Sequence, residues 1–222
     1  MKIALVGYRE WALNIYDNIT KESSHEFIRF NSREEFSDDE IHKFQPDFIL
    51  FYGWSWIISK NLINSYKCVM LHPSPLPKYR GGSPIQNQII NGETNGAVTI
   101  CLMDDGTDTG PIIAQKRISL LGSLDEVFNR IIDVGSKLTE NFINNGYSLQ
   151  VQDHTEATSF KRRKESDSEI SIDEITTKDS TYLVNKIRML QNPYPNPYIK
   201  TADGKKLFIL KAKLEEENSE KK

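Results

Sequence analysis

Residues 47–53, Asp-Phe-Ile-Leu-Phe-Tyr-Gly, are apolar at every interior position. A strand with one wet face alternates polar and apolar residues. A short unbroken apolar run ending in glycine therefore suits a strand covered on both faces, as in a parallel sheet between two helical layers. Residues 2–7 (Lys-Ile-Ala-Leu-Val-Gly) and 66–71 (Tyr-Lys-Cys-Val-Met-Leu) have the same character. The first of these leads into residues 10–19, where Trp11, Ile15 and Ile19 recur at helical spacing. This β-loop-α start predicts the α/β class, with a doubly wound, mostly parallel sheet. The turn Gly7-Tyr8-Arg9-Glu10 is not a G-x-G-x-x-G, so no dinucleotide cofactor is expected. The helix N-terminus behind it can meet an anion with help from Arg9; an ordinary turn with a surface arginine is the equal alternative.

The pattern continues with a short strand at 27–30, a helix over 32–44 broken by Pro46, and a helix over 60–65. A helix over 85–91 closes on Asn91-Gly92, and strands follow at 97–103 and 112–118. An amphipathic helix over 123–144 begins with a Ser123/Glu126 capping box. From residue 148 the character changes. A charged connector over 159–173 precedes a helix over 180–191 that carries Leu183, Ile187 and Leu190 on one face. Asn-Pro-Tyr-Pro-Asn-Pro breaks that helix, and a hairpin of 198–200 with 206–211 turns at Asp203-Gly204. The expected organisation is a core over 1–150, a connector, helix and hairpin over 151–213, and a disordered polar tail over 214–222.

A chain of 222 residues suffices for one medium domain with an appendage. Its net charge of −3 gives no reason to expect nucleic acid as the main partner. No apolar run approaches the roughly 18 residues of a membrane span, and the first strand leaves no room for a signal peptide. A cytoplasmic protein with no membrane partner is expected. Cys68 and Cys101 lie inside apolar runs and read as reduced packing residues.

Two residues stand out chemically. His72 follows the strand at 66–71 and opens a loop dense in proline, and Asp108 lies between Gly106 and Gly110 after the strand at 97–103. Both fall at the sheet edge where α/β proteins place their sites. A carboxylate beside an imidazole orients the ring and makes it a proton donor or acceptor near neutral pH. Gly106 and Gly110 leave room for a ligand close to the Asp108 backbone. The residues alone also allow a structural histidine and a turn aspartate. Trp54 and Trp56, after the strand at 47–53, read first as core. No second His or Cys stands at ligand spacing, so no metal is expected. Ser74 is a weak nucleophile candidate, because it sits on no strained elbow.

The run His-Pro-Ser-Pro-Leu-Pro-Lys-Tyr-Arg-Gly-Gly-Ser-Pro-Ile-Gln (72–86), followed by Asp-Asp-Gly-Thr-Asp-Thr-Gly-Pro-Ile-Ile (104–113), resembles the folate-dependent formyltransferases over about residues 1–145. The resemblance implies a Rossmann-like core that passes a formyl group from N10-formyltetrahydrofolate to an amine, with His72 and Asp108 as the family's His and Asp. It places the family's Asn at Met70, which cannot donate a hydrogen bond. Protonated His72, a backbone N–H, Ser74 or a water would then take over the oxyanion. The resemblance also makes Trp54, Ser55, Trp56, Ile57, Ile58, Asp104 and Asp108 the walls of the folate pocket.

Within the family, Pro-Tyr-Pro at 193–195, the following hairpin and the basic run Lys161-Arg162-Arg163 are similar to the sugar N-formyltransferases. That similarity implies a nucleotide-linked amino sugar as acceptor, typically a dTDP-4-amino-4,6-dideoxyhexose destined for lipopolysaccharide O-antigen or another surface polysaccharide. It also implies a homodimer. Arg9, Lys78 and Arg80 would meet the diphosphate, Tyr194 the base, and Tyr79 and Gly81 would complete the acceptor site. The C-terminal helix and hairpin could instead form the dimer contact. Full-length methionyl-tRNA formyltransferases add a C-terminal domain that contacts tRNA, and in a chain of this length that domain is not expected. Transfer to another amine, and folate binding without turnover because of Met70, are the alternatives.

Overall fold

A computed structural model describes residues 1–215; most of the expected polar tail lies outside them. The core sheet contains β1 (Lys2–Val6), β2 (Glu26–Phe30), β3 (Phe48–Tyr52), β4 (Lys67–His72), β6 (Asn95–Leu102) and β7 (Ile112–Ser119). Their order is β2-β1-β3-β4-β6-β7. The first four strands pair in parallel, and β6 and β7 add antiparallel. Every residue of β3 is buried, as its unbroken apolar run requires.

Helices cover both faces. α1 (Glu10–Thr20) and α5 (Leu124–Asn145) pack Ala12, Ile15, Tyr16, Val127, Ile131 and Phe142 against Leu5, Leu50, Leu71 and Val98. On the other face α2 (Asp38–Phe44) and α3 (Lys60–Ser65) press Ile41 and Leu62 onto Val6, Ile49, Phe51 and Cys68. Fully burying a side chain of this size contributes about 1.5–3 kcal/mol, so the two apolar faces hold the layers together. The capping box of α5 forms as expected, with the Ser123 hydroxyl accepting from Glu126 N and the Glu126 carboxylate accepting from Ser123 N.

α2 is shorter than its expected span of 32–44. Side chains take the backbone donors ahead of it: Ser32 Oγ accepts from Glu35 N, and Glu35 accepts from Asn31 N. Local bonds of this kind compete with helix. Ser37 then provides the N-cap. The charged connector also holds more structure than expected. It contributes β8 (Ser159–Phe160), which pairs in parallel with β5 (Arg80–Gly81), and the short helix α6 (Ile172–Thr177). The appendage is completed by α7 (Ser180–Met189), packed on α4 (Pro84–Ile90), and by the hairpin of β9 (Tyr198–Lys200) and β10 (Lys206–Phe208).

Candidate active site

β4 ends at His72, and the chain then turns through Pro73–Pro77 into β5. The imidazole is only 5% exposed. Its Nε2 lies 2.8 Å from the backbone oxygen of Tyr79. A carbonyl can only accept, so Nε2 carries a proton and Nδ1 is the nitrogen directed at the carboxylate. Asp108 Oδ2 stands 3.5 Å from Nδ1 and accepts the Gly81 N–H at 2.7 Å. Tyr79, Ser83 and Asp108 all have left-handed backbone, with φ of 60°, 52° and 56°. Such residues cost on the order of 1–3 kcal/mol each and persist only where surrounding contacts hold them.

Two cavities open on either side of this pair. The larger, about 510 Å³, is bordered by Arg9, Trp54, Ser55, His72, Gln86, Arg162, Arg163 and Tyr194 among others. The smaller, about 420 Å³, is bordered by Trp56, Ile57, Ile58, Ile63, Met103 and the loop from Asp104 to Gly110. Met70, Thr107 and Asp108 border both. The shared wall therefore sits between a slot with an apolar side and a carboxylate-bearing loop, and a cavity rich in cations.

Among the described residues, three donors on the larger cavity's wall meet no acceptor in hydrogen-bond geometry: Trp54 Nε1, Gln86 Nε2, which faces the Tyr194 hydroxyl, and Arg163 Nε. Gln86 is 2% exposed. Buried donors without acceptors are costly and mark places where a ligand or water supplies them. Tyr194 also borders this cavity, its hydroxyl pushed up by burial.

The residues expected in the folate pocket divide between the cavities. Trp56, Ile57, Ile58, Asp104 and Asp108 border the smaller one, but Trp54 and Ser55 border the larger. Of the expected acceptor contacts, Arg9, Gly81 and Tyr194 line the larger cavity. Lys78, Tyr79 and Arg80 do not. Lys78 points to Glu156 at 3.8 Å across exposed surface. Tyr79 stacks on Phe160 with ring centroids 5.0 Å apart and donates to Glu93. Arg80 is buried and donates to Gln152 Oε1 at 2.6 and 3.2 Å. A guanidinium so engaged is not free for a phosphate.

A further expectation is corrected by a close contact. Ser74 is buried and its hydroxyl donates to Lys78 O at 2.8 Å, so it braces the loop and serves neither as nucleophile nor as oxyanion donor. Gly106 and Gly110 border the smaller cavity, and their lack of a side chain also serves the loop itself. A Cβ on Gly106 would stand 2.0 Å from Thr109 Oγ1, and one on Gly110 would stand 2.0 Å from Leu102 O. Both glycines let the loop fold tightly on itself.

With this geometry in place, comparison with known proteins is decisive. The family profile described as Formyl transferase matches residues 12–142. The chain belongs to the formyl transferase family. A methionyl-tRNA formyltransferase of Orientia tsutsugamushi (strain Boryong) is 36% identical over 179 residues, covering 78% of this chain and 57% of that protein. The chain thus spans little more than half the length of this relative. The solved structure of a methionyl-tRNA formyltransferase from Clostridium thermocellum aligns with a TM-score of 0.83 at 29% identity, covering 94% of this chain and 97% of that one. A structure from Mycobacterium tuberculosis described as a likely sugar N-formyltransferase aligns with a TM-score of 0.77 at 23% identity, covering 97% and 98%. That last likeness is one of fold.

Sequence reasoning singled out His72 and Asp108, which the fold brings to 3.5 Å, and only part of each pocket wall. It did not find Gln86, whose signal is faint: an amide in a helix that is otherwise buried. Nor did it find Gln152, which lies in a polar stretch with no periodicity to mark it.

Proposed function

We propose that this chain transfers a formyl group from N10-formyltetrahydrofolate to the amino group of a nucleotide-linked amino sugar of the dTDP-4-amino-4,6-dideoxyhexose type. The observation that carries the reading is the wall of Met70, Thr107 and Asp108 shared by the two cavities, with His72 beside it. A transferase must bring donor and acceptor together from opposite sides of one reactive group. The smaller cavity, with apolar side chains on one side and polar groups on the Asp104–Gly110 loop, suits a flat pterin with polar edges, and the cationic cavity suits a phosphorylated acceptor.

In the reaction the neutral amine attacks the formyl carbon, forming the new C–N bond and a tetrahedral oxyanion. His72 supports the developing charge and handles the proton the amine loses. The bond from carbon to N10 then breaks, and N10 is left protonated as tetrahydrofolate. Met70 offers the oxyanion no donor, so His72 carries more of that stabilisation than a site with an amide there would require.

The orphaned donors at Trp54, Gln86 and Arg163 support an acceptor rich in oxygen, as a sugar diphosphate is. The 36% identity to a methionyl-tRNA formyltransferase favours a second reading, formylation of methionyl-tRNA. Mass spectrometry separates them. dTDP- and UDP-amino sugars, and in parallel methionyl-tRNA, are incubated with N10-formyltetrahydrofolate and the chain. A gain of one CO unit on a sugar nucleotide supports the proposal. A gain on methionyl-tRNA alone selects the second reading.

A further inference from the structure

We propose that Gln152, outside both cavities, is a positioning residue that sets the geometry of the His72–Asp108 pair. The inference rests on the reading above for the pair's role, and on contacts that the reading does not use.

Gln152 is 4% exposed, and its carboxamide is fully engaged. Nε2 donates to Asp108 O at 3.0 Å and to Gly110 O at 2.7 Å. Oε1 accepts from Arg80 Nε and Nη2. One amide thus ties the turn bearing Asp108 to the segment bearing β5. Both ends of that tie matter. Asp108 is held at a φ of 56°, a left-handed conformation uncommon for a residue with a side chain. The segment from Tyr79 to Gly81 supplies the carbonyl that holds His72 Nε2 and the N–H that holds the Asp108 carboxylate.

The rest of the connector grips the same segment. Arg80 N donates to Thr158 O, Gly82 N to Phe160 O, and Tyr79 N to Thr158 Oγ1. Gly81 and Gly82 are glycines because the connector lies against them. A Cβ on Gly81 would stand 2.3 Å from Phe160 O, and one on Gly82 would stand 2.3 Å from Arg162 Cα. The connector therefore works as a strap across the site, and Gln152 is the point where it reaches the turn of Asp108.

The amide's two ends make the claim testable. Gln152→Glu keeps an acceptor for Arg80 but has no N–H for the two carbonyls. Gln152→Met keeps the length and loses both. If Gln152 only partnered Arg80, the Glu variant would keep wild-type turnover. If it positions Asp108, both variants lose kcat by about 10- to 100-fold with KM for N10-formyltetrahydrofolate held within about twofold. In the Met variant the NMR resonance of His72 Nδ1, read at one fixed pH, also moves, because the carboxylate beside it is displaced. Glu156→Gln, which removes an exposed contact of the same strap, keeps wild-type kinetics. Wild-type kcat in the Glu variant, or an unmoved His72 Nδ1 resonance in the Met variant, would overturn the inference. If the Met variant fails to fold, the kinetics of the Glu variant decide. If the wild-type chain formylates no amine, the functional reading fails while the His72 Nδ1 resonance still judges the positioning.

Discussion

At the scale of the residue, the account turns on His72, Asp108 and the wall they share with Met70. His72→Ala and Asp108→Asn should each lower single-turnover formyl transfer by about 10²-fold or more while leaving the fold intact, because each removes one half of the proton-handling pair. Met70 invites the opposite experiment. Its side chain borders both cavities and has no donor. Met70→Asn places an amide at that wall, and kcat should rise by about tenfold or more if an oxyanion donor is what the site lacks. Unchanged or lower turnover would show that His72 already supplies the stabilisation. Glycine, proline and strand ends announced the two loops in the sequence, but the residues alone also allowed a structural histidine and a turn aspartate, and the resemblance to the formyltransferases joined them as a pair. The roles of Lys78 and Arg80 were not, because charge alone cannot say whether a guanidinium faces a cavity or a buried glutamine.

At the scale of the element, the appendage is stapled by one buried ion pair. Lys186 on α7 is almost fully buried and donates to both oxygens of Glu174 on α6, at 2.7 and 2.8 Å, and to Glu169 O. Burial works to raise the Glu174 carboxyl, but hydrogen bonds from Lys186, Ser171 and Tyr182 outweigh it and hold the group below its usual value. Folding therefore lowers this pKa. The stability it brings is complete above the ordinary carboxylate range and is lost as pH falls through the lowered value. Glu174→Ala should cost about 3–5 kcal/mol, since it leaves a buried ammonium unpaired. Urea unfolding at about pH 7 checks the loss, and the variant's deficit should shrink at about pH 3. Gly81→Ala should also destabilise, by about 1–3 kcal/mol, through its φ of 87° and its approach to Phe160 O.

These elements show where sequence reading stops. Periodicity located the core strands and α5 because each has to bury a continuous face. It could not find β8, a two-residue strand whose partner, β5, is equally short and distant in the chain. It overextended α2 because side-chain bonds at Ser32 and Glu35 decide that boundary.

At the scale of the whole molecule, the fold sets two cavities back to back across the C-terminal edge of one sheet, with the strap from the connector fixing the residues between them. No helix among the described residues is long and apolar enough to cross a membrane, and among them no group of three or more His, Cys, Asp or Glu could hold a metal. The donors on the larger cavity's wall are distributed between the core, at Trp54 and Gln86, and the connector, at Arg163. Substrate recognition is therefore expected to depend on both, and Arg163→Ala should raise the acceptor KM by about tenfold with little change in kcat.

The most direct measurement of the central claim is the mass of each candidate acceptor after incubation with N10-formyltetrahydrofolate and either the wild-type chain or His72→Ala. The account predicts a gain of one CO unit on an amino-sugar nucleotide with the wild type and none with the variant. Equal gain with both proteins, or no gain on any amine with the wild type, would contradict it.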